Sequence, residues 1–165
     1  MVKKLYLVVL IIAILISSFS ILKITKDKEI IKKNNFGELI INKINLDEEL
    51  FSINSSENTI EKHVTILKES IYPDDDNSIM IIAAHSGIGR IAYFNELDKL
   101  EINDEIVLIY KDKKYIYVVK DIWEEKKNGY ININKEKKKQ LVLTTCSPNK
   151  DNYQLIINCI EKESN

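Results

Sequence analysis

At 165 residues the chain has room for one domain of ordinary size, and no fixed-period repeat points to a solenoid. Its 24 basic and 25 acidic residues leave a formal net charge of −1, which gives no general electrostatic attraction for nucleic acid. Arg90 is the sole arginine, and because base and phosphate recognition leans on the arginine fork, its scarcity also argues against a nucleic-acid partner.

The chain opens with an uncharged apolar run, residues 5–22 (LYLVVLIIAILISSFSIL), preceded by Lys3 and Lys4 and closed by Lys23. At about 1.5 Å per residue a helix of this length covers most of a ~30 Å hydrocarbon core. It is apolar on every face, which a helix packed on one side of a soluble core is not. No small-x-small cleavage site follows it, so the run reads as an uncleaved signal anchor over residues 1–22. Lysines flank it on both sides, so charge alone leaves the orientation open. Residues 23–36, dense in lysine and asparagine, read as a stalk.

From Gly37 the pattern changes. Residues 38–44 (ELIINKI) form a short β-rich run, and residues 58–67 (NTIEKHVTIL) space Ile60, Val64 and Leu67 as a helix would. Residues 78–84 (SIMIIAA) are a continuous apolar strand that ends at His85. Ile91, Phe94, Leu97 and Leu100 again follow helical spacing. Asn103-Asp104 is a turn signal before a strand at 105–110. A turn at 111–113 leads into a strand at 114–123, which makes a hairpin. Residues 124–140 are polar, rich in lysine, and read as a solvated loop. Two strands, 141–145 and 154–160, end the domain. Some six or seven short strands with two short helices suggest a small mixed or antiparallel barrel over residues 37–163. Pro73 and Pro148 both fall between elements, as strand pairing requires.

Two reactive side chains occupy the same kind of position. His85 follows one apolar strand and Cys146 follows another, so each is held by the core on one side and free to reach a cleft on the other. Cys146 and Cys159 are the only cysteines, too few for a disulfide framework. Neither belongs to a CxxC pair, and the histidines are distant in sequence, so no zinc site is expected. Cys159 alternates along a strand and reads as core. His63, within the helix-like run, reads as structural or solvated.

The segment Leu143-Thr144-Thr145-Cys146 resembles the sortase active-site motif TLxTC, with Val142 in place of the first threonine. The strand leading through Ala84 into His85 resembles that family's histidine segment. Residues 94–100 and the turn at 103–106 are similar to its short helix and the following turn, and the amino-terminal anchor matches as well. The resemblance spans residues 37–163 and implies a mainly β fold, a closed barrel of about eight strands with short helices behind one transmembrane helix. It also implies a cysteine transpeptidase of the thiol-hydrolase class. Cys146 would attack a carbonyl in an LPXTG-like sorting signal of a secreted protein, and His85 would act as acid and base. The acyl group would pass through a thioester to an amine of a cell-wall precursor or a pilin subunit. The domain would lie outside the cell on a single-pass anchor.

The family's third catalytic residue is an arginine, and the matching position here is Gln154. A glutamine amide offers two N–H groups but no charge, and the loss of one good oxyanion donor costs about 10²–10³ in rate. Arg90 is a second candidate for the missing charge, or else a solvated residue at a helix start. Thr145 is expected to shape the substrate site beside the nucleophile, and residues 124–140 correspond to the loop that shapes substrate choice. For a free thiol and imidazole, ordinary acidities make the thiolate–imidazolium form only on the order of 1% as populated as the neutral pair. Slow catalysis is therefore expected unless the site stabilises the thiolate. No cofactor is implied, and the acidic residues form no calcium loop of the EF-hand kind. Two other readings remain. One is a sortase-like module that binds sorting signals without turnover; the other is a lipid- or partner-binding membrane β-domain, in which Cys146 and His85 would lie apart.

Overall fold

The computed structural model describes residues 14, 16–18 and 36–163. The chain divides into two units, Met1–Asn35 and Phe36–Asn165. In the first, residues 14 and 16–18 are helical; the rest of the expected anchor and stalk lies outside the described residues. Among the described residues no helix is long and apolar enough to cross a membrane.

The second unit carries eight strands: β1 (Gly37–Ile41), β2 (Leu46–Leu50), β3 (Thr65–Ile66), β4 (Ile79–Ala83), β5 (Glu105–Tyr110), β6 (Lys113–Lys126), β7 (Gln140–Cys146) and β8 (Tyr153–Glu161). They form one sheet in the order β2-β1-β5-β6-β8-β7-β4-β3. The sheet curls into a nearly closed barrel rather than a fully closed one, since β2 and β3 end the order without pairing each other. Every pairing is antiparallel except that of β4 with β7, which run parallel. The first strand starts where the backbone of Ile109 passes so close that a Cβ on Gly37 would stand 2.5 Å from its carbonyl oxygen, and only glycine fits there.

Alternation explains most of this. In β5 and the first half of β6 every second residue is buried, so one face meets the core and the other meets solvent. β4 is buried at every position and β7 at all but Cys146. Their two faces meet different apolar clusters. Met80, Ile82, Leu141 and Leu143 enter the main core, where Cys159 also lies. Ile79, Ile81 and Val142 pack on the far face, under Leu67, Trp123, Ile131 and Ile133. A continuous apolar run is what a strand covered on both sides requires.

Four sequence-based expectations change. The β-rich run expected over 38–44 is a strand only to Ile41, and Asn42–Ile44 form a 3-10 turn. Residues 58–67 form turns followed by β3 rather than a helix. The Asn58 amide donates to the Ile66 carbonyl at 2.9 Å and accepts from the Ile66 N–H at 2.8 Å, so a side chain completes the pairing of a short strand. Residues 91–100 form tight turns that end in a 3-10 turn, Leu97–Lys99, with the N–H of Leu97 bonded to Phe94 and that of Leu100 to Leu97. The apolar spacing is real, since Phe94, Leu97 and Leu100 are buried, but the segment is too short for an α-helix. Lastly, β6 runs on to Lys126, past the expected end of the strand at 123. A register shift between Val119 and Asp121 bends it, so that its second half follows β8 to the barrel rim.

Candidate active site

The parallel pairing of β4 with β7 assembles the site. Its last register pair is Ala83 opposite Thr144. His85 and Cys146 each lie two residues further on, so the register carries both to the same rim, on strands about 4.8 Å apart. Contacts beyond the last pair keep the two chains together. The Ala84 N–H donates to the Thr144 carbonyl at 3.3 Å. The buried Thr145 hydroxyl donates to the Ala84 carbonyl at 2.8 Å, and the Ser86 hydroxyl donates to the Cys146 carbonyl at 3.1 Å. The His85 carbonyl accepts from the N–H of Phe94, which anchors the histidine segment to the core.

Cys146 is exposed and Cys159 is fully buried, both as free thiols. Burial pushes the Cys159 thiol well up, which makes it unreactive. A cavity of about 370 Å³ opens at Cys146, lined also by Ser86, Phe94, Asp98, Ser147 and Pro148. His85 is half-buried and does not line the cavity, whereas the next residue, Ser86, does. The Glu61 carboxyl is held below its usual value, chiefly by the Thr59 hydroxyl and the Glu61 backbone, with a smaller contribution from the charge of His85. His63 stands elsewhere, against the Phe51 ring and 3.7 Å from Glu57.

The loop after the nucleophile is organised by Ser147. Its hydroxyl donates to Glu124 at 2.6 Å and accepts from the N–H groups of Asn149 and Lys150, both at 3.0 Å. Lys150 adds an ion pair with Glu124 at 3.5 Å.

Gln154 stands opposite Cys146 in the β7–β8 register and opposite Glu125 in the β6–β8 register. Its amide donates to the Glu125 carboxylate at 3.1 Å and to the Tyr130 carbonyl at 2.9 Å, which uses both N–H groups. Arg90 sits in an exposed turn and does not line the cavity. One residue was missed by sequence reasoning. The Lys127 ammonium donates to the Cys146 sulfur at 2.8 Å. In the sequence it is one lysine among many in a polar stretch, and nothing there marks it. Among the described residues no group of His, Cys, Asp and Glu is placed to hold a metal ion.

The fold is a mainly β, nearly closed barrel that presents an exposed thiol and a histidine segment at one rim. The sortase-domain family model matches residues 39–161, so the chain belongs to the sortase family, whose members are cysteine transpeptidases. Among solved structures it is similar to a lid mutant of sortase A from Corynebacterium diphtheriae, at 19% identity and a TM-score of 0.69, covering 79% of this chain and 71% of that one. It is also similar to sortase C1 from Streptococcus agalactiae, at 24% and 0.68, covering 81% and 70%. Sortase C of Streptococcus pneumoniae matches at 22% and 0.69, covering 79% and 69%. At these identities the structural likeness speaks for the fold. No curated protein gives a significant sequence match.

Proposed function

We propose that the protein is a sortase-type transpeptidase that cleaves an LPXTG-like sorting signal, with Cys146 as nucleophile and His85 as acid and base. The observation that carries this reading is the parallel register, which takes both residues to one rim, where Cys146 opens on a cavity. The Cys146 thiolate attacks the scissile carbonyl carbon, and the C–N bond breaks as the His85 imidazolium gives its proton to the leaving amine. The C–S bond that forms is a thioester. An incoming amine then attacks that carbonyl and gives its proton to His85, and the thiolate leaves. The acceptor is an amine of a cell-wall precursor or a pilin subunit; one structural neighbour of this chain is described as a pilus-related sortase C of Group B Streptococcus. In this reading residues 1–22 anchor the protein in the cell membrane, residues 23–36 form a stalk, and residues 37–163 act outside the cell. Thr145 shapes the site by fixing the Ala84 carbonyl, and Gln154 by holding Glu125 and Tyr130 at the rim.

The test is incubation with a fluorogenic LPXTG-type peptide library, with Cys146→Ala as control. Cleavage that depends on Cys146, with the acyl mass found on that residue, is the expected result. His85→Ala should lower the rate by about 10²–10⁴. Gln154 at the arginine position favours a second reading, a module that binds sorting signals without turnover. Peptide binding with no thioester on Cys146 would establish that reading instead.

A further inference from the structure

Resting on the transpeptidase reading, we infer that Lys127 supplies the positive charge of this active site, the role for which Gln154 has no charge to offer. Its Nζ donates to the reacting atom itself, Cys146 Sγ, at 2.8 Å.

The contact is built by the sheet. Glu125, Gln154 and Cys146 form one row across β6, β8 and β7. Lys127 lies two residues past Glu125, and its N–H donates to the Asn152 carbonyl at 2.8 Å, which continues the β6–β8 ladder. Residues two apart on a strand share a face, so Lys127 is on the face of that row. Its side chain spans the width of β8 to reach the sulfur. Gln154, on the intervening strand, has both N–H groups committed to Glu125 and Tyr130. The Glu125 carboxylate is in turn occupied by Gln154 and by the amide groups of Asn132. The neighbouring cation, Lys150, is paired with Glu124.

An ammonium beside a thiol favours the thiolate, the form that attacks. In the first half-reaction the Lys127 ammonium stands beside the sulfur as it bonds to the carbonyl carbon. In the second half it receives the thiolate as the C–S bond breaks. Lys127 neither gains nor loses a proton in either half, since His85 carries the transfers. The charge thus comes from the end of β6 rather than from β8.

The experiment uses the full chain with Lys127→Gln, Lys127→Arg, Lys127→Gln combined with Gln154→Arg, and Lys126→Gln as a charge control. Two rates are read at one pH: alkylation of Cys146 by iodoacetamide, a neutral reagent, and acylation by the peptide found in the library. Lys127→Gln is expected to slow alkylation about tenfold or more and acylation by about 10²–10³. Lys127→Arg and Lys126→Gln should keep both within a few-fold, and Gln154→Arg should restore at least about tenfold of the lost acylation. Alkylation and acylation of Lys127→Gln at the wild-type rates would overturn the inference. Alkylation needs no peptide, so a wild-type protein that accepts no sorting signal would sink the transpeptidase reading alone, and the alkylation series would still decide the role of Lys127.

Discussion

Thr145 commits its hydroxyl to the Ala84 carbonyl, one residue before His85. On that geometry its effect on turnover acts through the position of the histidine segment. Thr145→Val should cost about 1–2 kcal/mol of stability, because a buried carbonyl loses its donor, and should lower kcat while KM holds. Denaturant titration and steady-state kinetics check this. A raised KM with unchanged stability would instead make Thr145 a substrate contact. The two thiols give a second expectation. In the native protein a thiol reagent should modify Cys146 quickly, and Cys159 only after denaturation, since Cys159 is fully buried. The placement of Cys146 and His85 at one rim was legible in the sequence because one ends an apolar strand and the other closely follows one. Lys127 was not, because its contact runs between two strands that are not neighbours in the sheet. Only the order of strands reveals such a contact.

Two loops show side chains doing the work of a strand or a turn. Asn58 completes both hydrogen bonds of Ile66, so Asn58→Ala should destabilise the domain by about 1–3 kcal/mol, measured by urea unfolding. Beside the nucleophile, the Ser147 hydroxyl, with further help from Asn149 and Lys150, holds the Glu124 carboxyl below its usual value. For a carboxylate lowered on folding, the stabilisation is complete above the ordinary carboxylate range and is lost as pH falls through the lowered value. Protection factors of the Asn149 and Lys150 amides, taken against the intrinsic exchange rate at each pH, should therefore fall on acidification, and Glu124→Gln should remove that pH dependence. Most strands were legible from alternation or apolar runs, and β5 matched its expected bounds. β2 and β3 were not: β2 joins two buried leucines through three acidic residues, and the two residues of β3 leave no periodicity, their pairing depending on the Asn58 side chain. The polar end of β6 was missed for a related reason: rim residues such as Glu124 and Glu125 face polar partners, so a strand there looks like a loop.

At the scale of the whole molecule, β2 and β3 are the ends of the sheet. The order leaves one side of β2 without a strand, and the strand carries Asp47, Glu48 and Glu49. Charge on an edge opposes pairing with another copy. Replacing Asp47 and Glu49 with threonine should therefore promote association, visible by sedimentation velocity at high concentration. The lone parallel pair has a different consequence. A hairpin can zip from its turn, but β4 and β7 meet only after the intervening chain has closed a long loop, and such distant pairings form slowly. A newly made chain therefore carries its thiol for some time before its imidazole partner arrives. Activity regained on refolding should appear no earlier than the phase in which β4 pairs with β7. The site is assembled only when that long-range contact forms.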